Sequence, residues 1–227
     1  MKSTAILIPA RYGSTRFLGK PLVSLGNVPM IRRVFERCRK TGYDTYVLTD
    51  DKRIAYRFEP HQVIIDVEDY ENGTERCAGA VAMRTLDDYD QFVNVQGDMP
   101  DVTVELIEKC VTSLSQYEVS TVYTAMPAEM QHDPNSVKMV RAGDQALWFG
   151  RGMTGYGEWH LGVYGYRKNA LQCYPNLQIE KEERIEKLEQ LRWLKNGWQI
   201  GCTSVYFNGV EINTPEDVET WQQKNLQ

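Results

Sequence analysis

Short apolar runs alternate along the chain with stretches in which apolar side chains recur at helical spacing. The apolar run at residues 5–8 is too short for a helix and ends at Pro9, so it predicts a buried strand that leads into a loop. Apolar side chains then recur at helical spacing from residue 29 until Gly42, which predicts a helix packed on a sheet. The same reasoning predicts strands over residues 45–49, 63–65, 91–95, 119–123, 160–167 and 199–205, an extended stretch over 146–149, helices near 54–58 and over 77–86, 103–114 and 183–195, and a last helix from Thr214.

The order of these elements predicts the class of fold. Strand, helix, strand, helix in the first half is the order of a doubly wound α/β fold with a mostly parallel central sheet. Residues 160–167 alternate polar and apolar side chains, as a half-buried strand does. The character of the chain changes after about residue 125, so we expect one domain over 1–227 with a small second subdomain at about 125–205.

Composition and charge narrow the class of protein. The chain has 227 residues, 42% apolar and 25% charged, which suits a globular domain with a sizeable core. A net charge of −5 argues against a general nucleic-acid binder. No charge-free run approaches the roughly 20 residues of a membrane helix. The N-terminal residues show neither the longer apolar core nor the cleavage site of a signal peptide, so we expect none. The five scattered cysteines form no C-x-x-C pair, so we expect reduced thiols in a cytoplasmic protein.

The loop after the first strand carries most of the candidate chemistry. Three cations, two glycines and two hydroxyls fall within residues 11–20. At the carboxyl end of a buried strand, such a loop suits a polyphosphate. It is not a P-loop, because five residues separate Gly13 from Gly19 and Pro21 supplies no hydroxyl for magnesium. A basic surface turn remains the alternative.

Two later turns are also candidates for binding. Asp98 leaves the strand at residues 91–95 on a turn bounded by glycine and proline, where it suits magnesium held together with phosphate oxygens. An Asx-type turn is the alternative. Thr74 is placed to cap a helix whose N-terminus would favour an anion, or to do no more than cap it.

Several segments resemble one known family in the same order. Residues 8–16, Ile-Pro-Ala-Arg-Tyr-Gly-Ser-Thr-Arg, followed by Gly-Lys-Pro-Leu at 19–22, resemble the N-terminal signature of the sugar-acid cytidylyltransferases, particularly those of 3-deoxy-manno-octulosonate (KDO). Further similar segments are Gly-Thr-Glu-Arg at 73–76, Val-Asn-Val-Gln-Gly-Asp at 93–98, Asn-Ser-Val-Lys at 135–138, His-Leu-Gly-Val-Tyr-Gly-Tyr-Arg at 160–167, Leu-Glu-Gln-Leu-Arg at 188–192 and Thr-Pro-Glu-Asp at 214–217.

The resemblance implies a nucleotide-diphospho-sugar transferase-like fold and a role for each matching residue. The implied reaction converts CTP and KDO to CMP-KDO and pyrophosphate with Mg²⁺, a step of lipopolysaccharide biosynthesis. The residues implied in catalysis are Arg11, Lys20 and Asp98. Those implied in nucleotide binding are Pro9, Ala10, Arg11, Gly13, Ser14, Thr15, Arg16, Lys20, Gly73, Thr74, Arg76 and Gln96. Those implied in sugar binding are Arg76, Gln96, Arg151, His160, Tyr164, Glu189 and Gln190. Those implied in metal binding are Asp98 and the position of Asn213, to which we add Glu211 as a separate hypothesis.

Some of these assignments have structural alternatives. A lone histidine on a strand, such as His160, is more often structural than catalytic. Glu189 and Gln190 fall in the predicted helix over 183–195, where charged and polar side chains ordinarily form a solvated face.

The sequence departs from the family pattern at functional positions. Leu18 stands in place of proline, Met99 in place of glutamate and Asn213 in place of a metal-binding aspartate. Asparagine gives magnesium a neutral oxygen only, so we expect Glu211, two residues earlier on the same face of an extended segment, to supply the second carboxylate.

Residues 152–158 replace a longer family insertion, which leaves the substrate and the assembly open. The alternatives are a cytidylyltransferase for another acid, such as an amino-KDO or a nonulosonic acid, and a non-catalytic nucleotide-sugar binding module. A homodimer is also open, since Trp159 and Trp193 are read from the sequence as exposed aromatics.

Overall fold

The computed structural model of the protein describes residues 3–13 and 17–226. Ser14, Thr15 and Arg16, expected to bind the nucleotide, lie outside the described residues. The strands are β1 (Thr4–Pro9), β2 (Ser24–Leu25), β3 (Val28–Pro29), β4 (Asp44–Thr49), β5 (Val63–Ile65), β6 (Gln91–Val95), β7 (Val119–Thr124), β8 (Lys138–Ala142), β9 (Gln145–Gly150), β10 (Glu158–Arg167) and β11 (Ile200–Ser204). The α-helices are α1 (Met30–Arg39), α2 (Lys52–Ala55), α3 (Gly73–Ala82), α4 (Val104–Ser113), α5 (Lys168–Cys173), α6 (Lys181–Glu186), α7 (Leu191–Lys195) and α8 (Pro215–Asn225).

In the described part of the chain, nine strands form one sheet in the order β5-β4-β1-β6-β10-β7-β11-β9-β8. β5, β4, β1 and β6 are parallel, as are β7 and β11. β10 runs antiparallel between β6 and β7, and β8 and β9 form an antiparallel pair at the edge. The doubly wound α/β class is confirmed. The second half of the sheet is mixed, which the sequence did not predict because side-chain alternation does not encode the direction of a strand.

The strand order creates a crevice at the carboxyl ends of β1 and β6. The chain leaves β1 towards β4 on one side and returns to β6 on the other, and ligands bind at such a switch point. Pro9 ends β1, and Gln96 follows β6 at the same edge. β10 pairs Tyr164 with Asn94 and runs the opposite way, so its first residues, including His160, also lie at this edge.

Helices cover both faces of the sheet. Ile31 and Phe35 of α1 pack on one face with Ile107 of α4, and Leu171 of α5 packs on the other with Trp193 of α7. Helices on both faces of the sheet shield the side chains on both sides of a central strand, and β10 is almost continuously buried. The expectation that it is half-buried is therefore wrong.

The helix predicted over residues 183–195 is interrupted. α6 and α7 are separated by a turn in which Lys187 has a left-handed φ of 54°. Leu188 and Leu191 are buried, whereas Ile185 at the same helical spacing is exposed. The break allows Glu189 to point into the crevice rather than into solvent.

The start of the helix after residue 72 also differs from expectation. Helix α3 begins at Gly73 rather than near Cys77. Its cap is Asn72, whose Oδ1 accepts the Glu75 N–H at 2.9 Å, and not Thr74. The Thr74 hydroxyl instead lies 3.0 Å from the Tyr166 hydroxyl.

The two tryptophans read as exposed are buried. Trp159 is 6% exposed and packs against Phe207, with ring centroids 5.6 Å apart. Trp193 is 1% exposed and lies between Tyr174 and Trp198. Neither supports a homodimer, which stays a prediction. No helix in the described ranges has the length and apolar character needed to cross a bilayer.

Residues 125–205 do not separate cleanly from the rest of the sheet. They contribute β10 and β11 to its centre and α5 to α7 to one covered face. The sugar-binding and dimerisation roles predicted for this segment remain predictions.

Asp101 anchors the C-terminal segment to the end of the sheet. Its Oδ1 accepts the Trp221 indole N–H of α8 at 3.0 Å, and its Oδ2 accepts the Val210 N–H at 3.0 Å. Pro215 starts α8 after Thr214, as predicted, and the Asp217 carboxylate accepts the Thr214 N–H. The segment bearing Glu211 is thus fixed at both ends.

We expect Asp101→Ala to lower the free energy of unfolding by about 2–3 kcal/mol, because it leaves two donors in contact with Asp101 without an acceptor. Urea denaturation measures this effect. The exposed Asp69→Ala serves as the control and should change stability by less than about 0.5 kcal/mol. Equal stabilities of the two variants would contradict the anchoring role.

Candidate active site

Two adjoining cavities occupy the crevice. The larger has a volume of about 490 Å³ and the smaller about 220 Å³. Both are lined by Arg11, Asn72, Gly73, Gln96 and Asp98, so they are two ends of one site. The larger is lined by the predicted site residues Arg11, Gly73, Gln96, Asp98, Arg151, His160, Tyr164, Glu189, Gln190, Glu211 and Asn213. The smaller is lined by Pro9, Ala10, Arg11, Lys20, Gly73, Arg76, Gln96 and Asp98.

Lys20 and Asp98 join three distant segments between the two cavities. The Lys20 ammonium donates to Asp98 Oδ2 at 2.7 Å and to the Ile212 carbonyl at 2.9 Å. The Ile212 N–H donates to the Asp98 carbonyl at 3.0 Å. Gly19, with φ of 70°, turns the loop so that Lys20 faces the crevice.

The loops meet so closely that two glycines cannot carry a side chain without movement. A Cβ at Gly97 would lie 3.1 Å from the Pro9 carbonyl oxygen. A Cβ at Gly73 would lie 3.2 Å from the Pro9 side chain and 3.3 Å from Gln96 Nε2. The turn after β6 therefore packs against the backbone at the end of β1, and the start of α3 packs against the side chains of Pro9 and Gln96.

Glu211 lies beside Asp98 in the larger cavity. Burial of its carboxyl, and then the charge of Asp98, raise the pKa of Glu211 to about 7, although Lys20 and the backbone of Gly162 act in the opposite direction. The cavity leaves part of the side chain accessible to water. A cation placed between the two carboxyl groups would favour the charged form of both.

The oxygen donors at this point suit magnesium. Asp98, Glu211 and Asn213 line one cavity and offer two carboxylates and an amide oxygen. Mg²⁺ binds through one or two carboxylates together with waters and substrate phosphates. No group of three or more His, Cys, Asp or Glu is arranged to hold a metal within residues 3–13 and 17–226, so the protein oxygens alone would not complete an octahedron.

The far wall of the larger cavity comes from β10 and its neighbours. His160 is 4% exposed, its Nε2 lies 2.9 Å from the Thr121 hydroxyl, and its ring packs against Phe149 and Tyr164. Burial, and then the charge of Arg151, lower the pKa of His160 to about 3. The imidazole is therefore neutral at physiological pH and acts as a hydrogen-bonding group rather than a cation.

Glu189 and Gln190 lie at the opposite wall. Glu189 Oε2 accepts the Thr74 N–H at 3.2 Å, and Oε1 accepts from Gln96 Nε2 at 3.4 Å. Burial raises the pKa of Glu189, and the bonds from Thr74 oppose this. Gln190 is 2% exposed, and its Nε2 is buried without a partner in the described structure. A donor of this kind is available to a ligand.

Some predicted nucleotide-binding residues are placed differently from expectation. Gly13 and Thr74 line neither cavity. Arg76 lines the smaller cavity, but its guanidinium is paired with Asp50 at 3.0 Å and donates to the Asp66 carbonyl at 3.1 Å. Its side chain is thus largely engaged within the protein.

The cavities also expose residues that the sequence did not single out. Tyr70, Asn72, Asn135, Arg184 and Lys187 all line one or both cavities. Asn135 begins a family-like segment, which was a usable signal. Arg184 and Lys187 carried no such signal in the sequence. Both fall in the helix predicted over residues 183–195, where charged side chains ordinarily form a solvated face.

A doubly wound sheet with a cationic loop and a carboxylate turn meeting at its switch point defines a nucleotide-binding α/β protein of the nucleotidyltransferase type. The chain belongs to the cytidylyltransferase family, whose model matches residues 5–200. The family resemblance found in the sequence is thereby confirmed.

Curated relatives are similar over almost their whole length. The 8-amino-3,8-dideoxy-manno-octulosonate cytidylyltransferase of Shewanella halifaxensis is 37% identical over 234 residues, covering 95% of this chain and 96% of the relative. The enzyme of the same name from Shewanella frigidimarina is 38% identical over 236 residues, covering 96% of each.

Solved structures give the same grouping. The structure of CMP:2-keto-3-deoxy-manno-octonic acid synthetase complexed with CTP is 31% identical, covers 99% of each chain and superposes with a TM-score of 0.90. A putative glucose-1-phosphate thymidylyltransferase from Bacillus anthracis is only 12% identical, with a TM-score of 0.70, and shares the fold.

The depressed pKa of His160 predicts a pH dependence of stability. Unfolding returns the imidazole to its ordinary pKa of 6.5, so the unfolded chain binds a proton that the folded chain does not bind between about pH 3 and 6.5. This contribution to stability is complete above pH 6.5 and is lost as the pH falls through that window.

We expect this single group to account for about 2 kcal/mol of lost stability between pH 7.5 and pH 5. Urea denaturation at the two pH values measures the loss in the free energy of unfolding. That loss should be smaller by this amount in His160→Gln than in the unaltered protein. The exposed His61→Gln is the matched control. Parallel losses in the unaltered protein and His160→Gln would contradict burial of a neutral imidazole.

Proposed function

We propose that the protein transfers CMP from CTP to the anomeric hydroxyl of an eight-carbon sugar acid of the KDO type, releasing pyrophosphate. The observation that carries the proposal is the contact of Lys20 with Asp98, which joins a cationic loop and a carboxylate at the junction of two cavities. A triphosphate in one cavity and a sugar in the other would meet at that junction.

The smaller cavity is proposed to hold the nucleotide. Arg11 and Lys20 carry the positive charge that a triphosphate requires, and Pro9 and Ala10 bring the backbone at the end of β1 close to it. Their contribution to the reaction is alignment of the α-phosphorus and neutralisation of the charge that develops on pyrophosphate.

Asp98, Glu211 and Asn213 are proposed to hold Mg²⁺. When bound, the ion supplies positive charge to the phosphate oxygens and lowers the pKa of a coordinated hydroxyl. The protein's own side chains position the groups around the ion. Lys20 donates to Asp98 and to the Ile212 carbonyl, which leaves a third ammonium hydrogen for a phosphate oxygen, and the Asp101 anchor keeps Glu211 beside Asp98.

The larger cavity is proposed to hold the sugar. Arg151 supplies a cation for the sugar carboxylate, and neutral His160 and Gln190 supply hydrogen bonds to hydroxyl groups. In this position the anomeric hydroxyl lies towards Asp98. No covalent intermediate is needed, because alignment of two substrates replaces it.

We propose 8-amino-3,8-dideoxy-manno-octulosonate as the preferred acid. The relatives from Shewanella, which carry that substrate in their names, support this choice. Glu189 adds a physical reason, since its carboxyl lies in the cavity and makes no ion pair within the described residues, so an ammonium group would find a partner there. KDO itself is the second candidate, favoured by the similarity to the synthetase solved with CTP.

Pyrophosphate release from CTP and Mg²⁺ tests the proposal, with 8-amino-KDO, KDO and a nonulosonic acid each as acceptor. We expect the highest kcat/KM with 8-amino-KDO, by about ten-fold over KDO, because one charge-assisted hydrogen bond is worth roughly 1.5–3 kcal/mol. A higher kcat/KM with KDO would reverse the order of the two candidates. Binding of CTP without release in any mixture would instead indicate a non-catalytic binding module.

The metal site predicts the behaviour of two carboxylate variants. We expect Asp98→Asn to lower kcat by about 10²-fold or more, since the carboxylate proposed to hold Mg²⁺ at the reacting phosphate is lost. Glu211→Gln should need a higher Mg²⁺ concentration for half-maximal turnover, and electron paramagnetic resonance should show weaker binding of Mn²⁺. The exposed Asp69→Asn is the control for loss of one carboxylate. An unchanged Mg²⁺ dependence of Glu211→Gln would remove Glu211 from the metal site.

A further inference from the structure

The turn that carries Glu189 and Gln190 has little stability of its own. α6 has six residues and α7 has five, and Lys187 between them is in the left-handed region. Helices this short are marginal in water and depend on tertiary contacts. Contacts elsewhere must therefore determine where Glu189 and Gln190 lie in the cavity.

Arg192, the second residue of α7, makes the strongest of these contacts. It is 1% exposed, and its guanidinium donates three hydrogen bonds to the Glu183 carboxylate of α6 at 2.6–3.1 Å. Its Nη1 donates to Glu75 Oε1 of α3 at 2.8 Å. One buried cation thus ties α6, α7 and α3 together across the turn.

Tyr174 extends this cluster to the backbone of the turn. The Arg192 guanidinium lies over the Tyr174 ring, 4.3 Å from its centroid. The Tyr174 hydroxyl donates to the Glu189 carbonyl at 3.0 Å. We call Arg192, Glu183, Glu75 and Tyr174 the Arg192 brace.

The brace meets the larger cavity only at Glu183, whereas Tyr174, Arg192 and Glu75 lie behind the turn. The Glu189 carboxyl is bound to the Thr74 N–H at the start of α3, and Glu75 of the brace is the next residue along that helix. Neither Tyr174 nor Arg192 lines the cavity. Their effect on a sugar must therefore pass through the position of Glu189 and Gln190.

We propose that the Arg192 brace positions the Glu189–Gln190 turn for sugar binding, so that Tyr174, Arg192 and Glu75 set the affinity for the sugar acid without touching it. The proposal rests on the proposed function of the larger cavity. It assigns the brace no part in nucleotide binding, because none of its four residues lines the smaller cavity, to which α3 contributes only Gly73 and Arg76.

Tyr174→Phe is the sharpest test, since it removes one hydroxyl and leaves the ring under Arg192. Arg192→Met would leave two carboxylates without their cation and endanger the fold. We expect Tyr174→Phe to raise KM for the sugar acid about five-fold, the value of one hydrogen bond, and to leave KM for CTP unchanged. Tyr117→Phe is the matched control. Tyr117 lies just before β7, at the opposite edge of the sheet, and the variant loses the hydrogen bond from its hydroxyl to Asp144.

Glu75→Gln cuts the brace at a second point. It keeps the shape of the side chain but removes the charge that faces Arg192. We expect a rise in KM for the sugar of similar size. In the double variant with Tyr174→Phe, the rise in KM should be smaller than the product of the two single rises, because both changes act on one turn. A full product would show that the two residues act separately and would overturn a single brace.

Hydrogen exchange separates this proposal from the proposed function. Amides of residues 187–192 should exchange faster in Tyr174→Phe than in the unaltered protein or Tyr117→Phe. Unchanged exchange, or a lower melting temperature with an unchanged KM for the sugar, would overturn the brace. Failure of the unaltered protein to release pyrophosphate with any sugar acid would overturn the proposed function instead, and the exchange rates would still report on the brace.

Discussion

The contact of the Lys20 ammonium with Asp98 and the Ile212 carbonyl is the constraint on which the rest of the site depends. Lys20 and Asp98 are 78 residues apart, and Lys20 and Ile212 are 192 residues apart. A cation shared by a carboxylate and a carbonyl holds the first loop, the turn after β6 and the C-terminal segment at one point. It also offsets the repulsion between Asp98 and Glu211, which are adjacent in a cavity where burial weakens the screening of charge.

The same contact explains how one crevice can receive two anionic substrates. A carboxylate pair alone would repel a triphosphate, whereas Arg11 and Lys20 make the nucleotide end cationic. Arg151, Arg184 and Lys187 line the larger cavity, where we propose that the sugar binds, together with Glu183 and Glu189. Asp98 and Glu211 lie near the junction of the two cavities, where a divalent ion would offset their repulsion of phosphate.

Rigid elements hold each part of this arrangement. The ends of β1 and β6 and the start of α3 pack closely at Gly73 and Gly97, where an added Cβ would crowd Pro9 and Gln96. Asp101 fixes the C-terminal segment through Val210 and Trp221. We propose the same role for the Arg192 brace at the turn between α6 and α7. The proposed nucleotide and sugar ends would then be supported by different contacts, so that each could be altered separately.

The sequence by itself determined the class of the fold and placed the cationic loop and Asp98 at the ends of strands. Short apolar runs marked β1 and β6, and parallel strands end at one edge of a sheet, so Lys20 and Asp98 belong at the same edge. The tertiary structure decided that β1 and β6 are neighbours, which brings the two side chains into contact. Family-like segments then indicated most residues that line the cavities. Only the tertiary structure decided the direction of β10, the burial of Trp159 and Trp193, the pairing of Arg76 with Asp50 and the break at Lys187. Periodicity reports which side of an element is apolar, but strand direction, buried ion pairs and a left-handed residue depend on partners distant in the chain.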